Sequence, residues 1–244
     1  MLENAYNFRD LGGLPAAGGR VVTSGRLYRS DGLHRITDND ARALTALGIR
    51  TVIDLRRPHE IAADGRIPPL TGMTWHNLHP IHREWDLGRY DEATGAGRFL
   101  ADRYLDMVEE GLAGLAEALA VLADAQHAPV VVHCMAGKDR TGVLVALALT
   151  LLGVEDAVIA TDYARSGEMQ GRITARLRQD HPDRVLVELP AYVLASPPQA
   201  MLLFLADLRT RHGPVAQLLT RAGFGPAEVA QLRAHLLTAA TAAA

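Results

Sequence analysis

Apolar positions along the chain follow two periods. Short runs bounded by breakers recur at Thr51-Val52-Ile53-Asp54-Leu55, at Thr74 to Leu78, and at Val130-Val131-Val132, the last opened by Pro129. Runs of that length predict buried strands. Longer stretches carry helical spacing. Thr37 caps a predicted helix beginning Asp38-Asn39-Asp40, with acidic residues in its first turn, Leu44 and Leu47 on its core face and Gly48 past its end. Phe99 to Ala125 carries Tyr104, Leu105, Val108, Leu112, Leu115, Leu119 and Leu122 at helical spacing, which predicts a core-facing helix weakened or kinked at Gly111 and Gly114. From Thr141 an almost wholly apolar run predicts a buried helix ending near Gly153. Residues 156–179 predict two helical pieces hinged near Gly167. Helices over 201–211, 214–221 and 227–237 follow, the last opened by Pro226.

The segments between are less regular. Residues 6–13 read as an irregular opening with a turn at Gly12-Gly13, and 20–29 as a short hairpin ending in Arg29-Ser30. His59-Glu60 to Pro68-Pro69 reads as a short helix and a loop. Residues 83–98 are polar, Gly-rich and loop-like. Residues 181–198 form a Pro-interrupted connector, and the Ala-rich tail 239–244 is expected to fray.

Composition narrows the classes. With 244 residues and 48% hydrophobic content, the chain can bury one sizeable core or at most two small ones. A net charge of −3 leaves no nucleic-acid or membrane footprint at the whole-chain level. The start lacks a basic and then apolar leader, and no long uncharged apolar run exists, so neither a signal peptide nor stable membrane association is expected. The single cysteine excludes an intramolecular disulfide and fits a reducing compartment. Once oxidised it would have no resolving cysteine in the same chain, only a backbone nitrogen or a small thiol. The expected location is cytoplasmic, with signal-less export open. Ala, Leu and Arg richness with few Lys looks like a high-GC bacterial source.

Chemistry concentrates in 128–142. Between the Val130–Val132 strand and the helix lies a loop from Cys134 to Arg140. Unpaired N–H groups at a helix start, with the positive end of its dipole, form an anion site. The same field is expected to lower the Cys134 thiol pKa. Arg140 offers a planar fork for two phosphate oxygens, and Gly137 permits backbone geometry that a side chain would block. The Thr141 hydroxyl is expected to donate to the Cys134 sulfur. A lone cysteine after a buried strand is ordinarily an inert core residue. The Gly, Arg and Thr-Gly at fixed offsets point instead to nucleophilic attack on a phosphate monoester.

His133-Cys134-x5-Arg140-Thr141-Gly142 resembles the signature of the cysteine-dependent protein tyrosine phosphatase superfamily. Gly137-Lys138-Asp139-Arg140-Thr141-Gly142 is similar to the form in bacterial tyrosine/serine phosphatases that also accept lipid phosphates. Asn7-Phe8-Arg9-Asp10-Leu11-Gly12-Gly13, Asp54-Leu55-Arg56 and Asp162-Tyr163-x2-Ser166 match the same subfamily. The resemblance runs from about Asn7 to Leu237. It implies an α/β phosphatase fold with a mostly parallel sheet of about four or five strands flanked by helices. Residues 1–244 would be one domain, with the helical part from about 191 packed on it.

The resemblance also implies roles. Cys134 and Arg140 would be catalytic, and Met135, Ala136, Gly137, Lys138, Thr141 and Gly142 would bind the phosphate, with phosphate or sulfate in the loop and neither metal nor cofactor needed. His133 and Asp162 would support the loop, together with Tyr163 and Ser166. Asp54 and Arg56 have two readings: positioning the loop and reaching substrate, or a buried ion pair that holds the fold. Asn7 to Asp10 is either a lip of the active site or, preferred, a plug in which Arg9 and Asp10 satisfy buried backbone. Lys138 suits multiply charged substrates or pairs with an acid.

Relatives place an acidic residue after the strand at 74–78, where this chain has His82, with Glu84 and Asp86 beyond. Asp139 is the first choice for general acid, and Asp86 and His82 are alternatives. His76, His79 and His82 recur at three-residue spacing, but Pro80 breaks any helix that would converge their rings, so no metal site is assigned. Trp85 and Tyr90 would stack on a substrate ring or anchor their loop. The segment is short for a large lid. The expected activity is phosphate monoester hydrolysis through a cysteinyl-phosphate, on phosphotyrosine or phosphoserine proteins or small metabolites. Phosphoinositides, or phosphate binding without turnover, are the alternatives.

Overall fold

The computed structural model describes residues 2–180 and 190–240. The first part of the Pro-interrupted connector, 181–189, and the tail 241–244 lie outside the described residues.

In chain order the elements are β1 (Arg9–Asp10), β2 (Pro15–Ala16), β3 (Arg20–Val22), β4 (Leu27–Ser30), α1 (Asp38–Ala46), β5 (Thr51–Asp54), α2 (Pro58–Asp64), β6 (Thr74–Asn77), α3 (Gly95–Ala123), β7 (Val130–His133) and α4 (Asp139–Leu152). There follow α5 (Asp156–Ala164), α6 (Gln170–Asp180), α7 (Ala191–Leu194), α8 (Pro198–His212), α9 (Val215–Thr220), α10 (Pro226–Leu236) and β8 (Leu237–Ala239).

Among the described residues the central sheet has five strands in the order β1-β4-β7-β5-β6, parallel except for β1. The expected mostly parallel sheet flanked by helices is therefore present. Its three inner strands, β4, β7 and β5, are buried on both faces, whereas the edge strands β1 and β6 are partly exposed. Val130 and Val132 of β7 enter a large cluster built with α3, α4, α8 and α10, whereas Val131 enters a smaller one with Leu33, Leu44 and Val52. Register then sets the site. His133 pairs with Ser30 on one side and Asp54 on the other, so three strands end level, and the chain leaves β7 at their carboxyl ends.

Several expectations need correction. No hairpin joins residues 20–29: β3 pairs with β2 and β8 in a small antiparallel sheet, while β4 joins the central one. Residues 237–239 are a strand on β3, not the end of a helix or the start of a frayed tail. Leu47 is 40% exposed and lies off the core face, which Leu44 occupies. The signature helix begins at Asp139, two residues before Thr141.

The Thr37 cap forms as expected, its hydroxyl accepting from Asp40 N. α3 runs through Gly111, whose φ of −104° and ψ of 17° mark the kink. Added Cβ atoms would stand 2.8 Å from Pro80 Cβ at Gly111 and 2.9 Å from the His79 carbonyl oxygen at Gly114. These glycines thus let the segment after β6 lie directly on α3. Among the described residues, no helix is long and apolar enough to cross a membrane.

Candidate active site

The loop between β7 and α4 is held by its carbonyl oxygens. Met135 O accepts from Gly32 N at 2.9 Å, and Ala136 O from Asn7 Nδ2 at 3.0 Å. Gly137 O accepts from Asn7 Nδ2 at 3.1 Å and from Arg29 at 2.7 Å. Among the described residues, the amides of Met135 to Lys138 donate no hydrogen bond. A peptide group whose oxygen is bound on one side turns its N–H to the other. The loop therefore presents a nest of donors at the N-terminus of α4. An anion placed in the nest can accept from several of these donors at once.

Gly137 makes the geometry possible. Its φ is +66°, and a Cβ there would stand 2.2 Å from the Ser30 carbonyl oxygen. A Cβ on Gly142 would stand 3.2 Å from the Tyr163 ring, so α4 and α5 approach closely just beneath the loop. Cys134 is 2% exposed, at the base of the loop and against the apolar core. The expected bond from Thr141 to the Cys134 sulfur is not formed: Thr141 Oγ1 is buried without a hydrogen-bond partner.

Arg140 is held by α2. Its two terminal nitrogens reach Glu60 Oε2 at 2.5 Å and Oε1 at 2.9 Å, and Glu60 is fixed in turn by Arg57 N. Burial works against the Arg140 charge, but the bonded Glu60 carboxylate and the Cys134 sulfur outweigh it and raise the pKa. Burial likewise works against Glu60 ionising, and Arg140 outweighs it, so the carboxyl lies below its ordinary range.

Behind the loop lies a buried charge cluster. Asp162 accepts from Arg9 Nε and from Arg29, each at 2.7 Å, and Ser166 Oγ accepts from Asn7 at 3.2 Å. Burial opposes the Asp162 charge, but Arg29 and Arg9 hold its pKa below the usual carboxylate value. Asp10 accepts from Gly12 N and Gly25 N, which is the plug geometry. Asn7 does more, because it touches the phosphate loop itself. On the other flank His133 lies fully buried, its Nε2 3.6 Å from Asp54 Oδ2 and its Nδ1 3.1 Å from the Cys134 carbonyl oxygen. Burial lowers the His133 pKa, with Asp54 opposing.

Two expected substrate contacts are corrected. Arg56 is fully buried, bonded to both Asp54 oxygens and to the Gly65 carbonyl, and so takes the ion-pair alternative. Lys138 is 4% exposed and its Nζ lies 2.5 Å from Asp139 Oδ1, so its charge meets Asp139. Burial opposes the Lys138 charge, but Asp139 outweighs it and raises its pKa.

The candidate acids separate. Asp139 lies in the first turn of α4, bonded to Lys138 and to the Tyr104 hydroxyl at 2.7 Å. Asp86 is exposed and caps the short turn Leu87–Arg89 by accepting from Gly88 N at 3.0 Å. His82 and Asp86 line a cleft of about 210 Å³ with Arg103 and Glu110, which Cys134 and Arg140 do not enter. Burial lowers the His82 pKa, with Arg57 and Arg140 adding to it against the pull of the Arg83 carbonyl. His76 packs edge-on to His127, and among the described residues no group of three His, Cys, Asp or Glu side chains converges to hold a metal. Trp85 packs on Phe99 and Tyr104, and Tyr90 stacks on Tyr192 with centroids 3.6 Å apart, so both rings anchor their loop.

Sequence reading passed over Arg29, Glu60 and Tyr104. Arg29 and Glu60 act across the fold and leave no local pattern. Tyr104 carried a signal, since a tyrosine at a core position of a helix needs a partner for its hydroxyl.

Comparison with known proteins places the chain in a family. Residues 1–238 match the model of the tyrosine phosphatase family. The chain is 31% identical over 221 residues to the triple specificity protein phosphatase PtpB of Mycobacterium tuberculosis, covering 79% of this chain and 78% of that one. It is 30% identical over 260 residues to a Cupriavidus necator protein whose name places it among the tyrosine-protein phosphatases, covering 96% of this chain and 87% of that one. A tyrosine-protein phosphatase of Nostoc commune is 29% identical over 152 residues, 62% of this chain and 52% of its own. The chain belongs to the tyrosine phosphatase family and is a cysteine-dependent phosphatase.

Proposed function

We propose that the enzyme hydrolyses phosphate monoesters in two displacements at Cys134. The Cys134 sulfur attacks phosphorus in line, the bond to the leaving oxygen breaks, and Asp139 supplies that oxygen with a proton. Asp139, now a carboxylate, takes a proton from water as the water oxygen attacks phosphorus. The S–P bond breaks, releasing inorganic phosphate and restoring the thiolate. Arg140 and the amides of residues 135–140 bind the non-bridging oxygens, where charge must be stabilised throughout. The observation that carries this reading is the loop whose carbonyls are all engaged from behind while its amides are left to an anion.

Asp139 is the preferred acid because it stands in the loop-helix junction. Asp86 is committed to a turn, and the lowered His82 pKa disfavours the protonated ring. For substrate we favour phosphotyrosine or phosphoserine proteins and small phosphorylated metabolites, acted on in the cytoplasm. The name of PtpB, a triple specificity protein phosphatase, supports action on phosphorylated proteins with more than one specificity. Lys138, drawn to Asp139, no longer argues for a second phosphate, so phosphoinositides remain the alternative.

Turnover of p-nitrophenyl phosphate by the wild type and by Cys134→Ser tests the scheme. Loss of turnover with phosphate binding retained is expected. A Cys134→Ser enzyme that still turns over at the wild-type rate removes the cysteinyl-phosphate. A panel of phosphopeptides, nucleotide and sugar phosphates, and phosphoinositides then ranks the substrate classes.

A further inference from the structure

The chain holds one lysine against twenty-four arginines, and that lysine is Lys138. Its Nζ lies 2.5 Å from Asp139 Oδ1. The same oxygen accepts the Tyr104 hydroxyl at 2.7 Å, and the Tyr104 oxygen lies 2.6 Å from the Tyr163 hydroxyl. Tyr104 and Tyr163 are 0% and 1% exposed, so no water competes for these contacts.

A phenol has one proton. With the Tyr104 proton given to the carboxylate, the short contact to Tyr163 requires Tyr163 to be the donor. The order is thus set: Tyr163 donates to Tyr104, and Tyr104 donates to Asp139. Burial, with the Asp139 charge beside it, raises the Tyr104 pKa well above its ordinary value and keeps that proton in place. Oδ1 then holds two donors, which uses its lone pairs, and any proton that Asp139 carries must sit on Oδ2. A guanidinium at position 138 would bring five donors to a niche with few acceptors, whereas an ammonium is compact.

We propose that Tyr104 is a positioning residue for Asp139, and that with Tyr163 and Lys138 it saturates Oδ1, so that the acid's proton is carried on Oδ2. This rests on the reading of Asp139 as the group that protonates the leaving oxygen. The cluster ties α3 and α5 to the first turn of α4 and orients a single carboxylate edge.

Tyr104→Phe keeps the ring and removes the donor. Steady-state rates are compared on p-nitrophenyl phosphate, a good leaving group, and on a phosphoserine peptide, a poor one. On the peptide, kcat should fall about tenfold or more with KM little changed, while the aryl substrate is largely spared. Asp139→Asn should show the same leaving-group dependence. The Asp139→Asn/Tyr104→Phe pair should be no slower than Asp139→Asn alone, because both changes act through one carboxylate.

Equal losses on both substrates, or additive losses in the pair, overturn the inference. If Asp139→Asn is slow on the peptide while Tyr104→Phe is not, the positioning role falls and the acid assignment stands. If Asp139→Asn keeps the full peptide rate, both fall. Thermal unfolding checks that Tyr104→Phe is folded. If it is not, Tyr163→Phe takes its place, with a smaller loss of the same leaving-group dependence expected and equal losses overturning the inference.

Discussion

Gly137 is the residue whose side chain must be absent. Its left-handed φ and the 2.2 Å approach of an added Cβ to the Ser30 oxygen act together. Gly137→Ala should cost about 1–3 kcal/mol in backbone strain alone, and should also misplace the amides beside it. Urea unfolding and kcat/KM on an aryl phosphate check this. A variant with wild-type stability and rate would show that the loop is not built as described. Cys134, Gly137 and Arg140 were legible in the sequence because their offsets within one loop already imply the chemistry. Arg56 and Lys138 were legible only as alternatives: Asp54 and Asp139 stand within two residues of them, but only the packed chain shows that each side chain is buried against that acid instead of reaching outward.

Among the elements, α3 carries a prediction of its own. Alanine ordinarily improves a helix by up to about 1 kcal/mol over glycine. At Gly111 a Cβ would meet Pro80 Cβ at 2.8 Å, and overpacking of that kind costs about 1–3 kcal/mol. Gly111→Ala should therefore lower the unfolding midpoint, and a higher midpoint would mean that the segment after β6 does not rest there. The longer helices and the strands β5, β6 and β7 could be read from periodicity, because their hydrogen bonds or burial are encoded locally. The false hairpin at 20–29 and the unforeseen β8 share one cause. Their partners lie far along the chain, and short strands give no sign of which edge they will join.

For the whole molecule, buried titratable groups set the pH dependence of stability. Burial, with Arg56 and His133 adding, lowers the His34 pKa from 6.5 to about 3. The unfolded chain therefore takes that proton first, and stability is lost as pH falls from about 6.5. Asp54, Glu60 and Asp162 have lowered pKa values, so the stability they contribute is present above the ordinary carboxylate range and is lost below pH of about 4.

Asp31 works in the opposite sense. Burial pushes its carboxyl up to about 6, so the folded state binds the proton more tightly. Its contribution is complete below about pH 4 and is lost as pH rises through 6, on the order of 3 kcal/mol. Between pH 6 and 4, Asp31→Asn should lose stability on acidification more steeply than the wild type. Urea midpoints at pH 7, 6, 5 and 4 for both proteins test this, and parallel curves would contradict it.

The amino-acid sequence by itself determined the strand-loop-helix unit, the nucleophile, the guanidinium and the family they belong to, because each depends on neighbours a few residues apart. Tertiary structure alone decided what grips the loop from behind, which acid meets which base, and which phenol faces Asp139. Those contacts join residues as far apart as Asn7 and Gly137 or Tyr104 and Tyr163, and a buried charge or hydroxyl takes whatever partner the packed chain brings within reach.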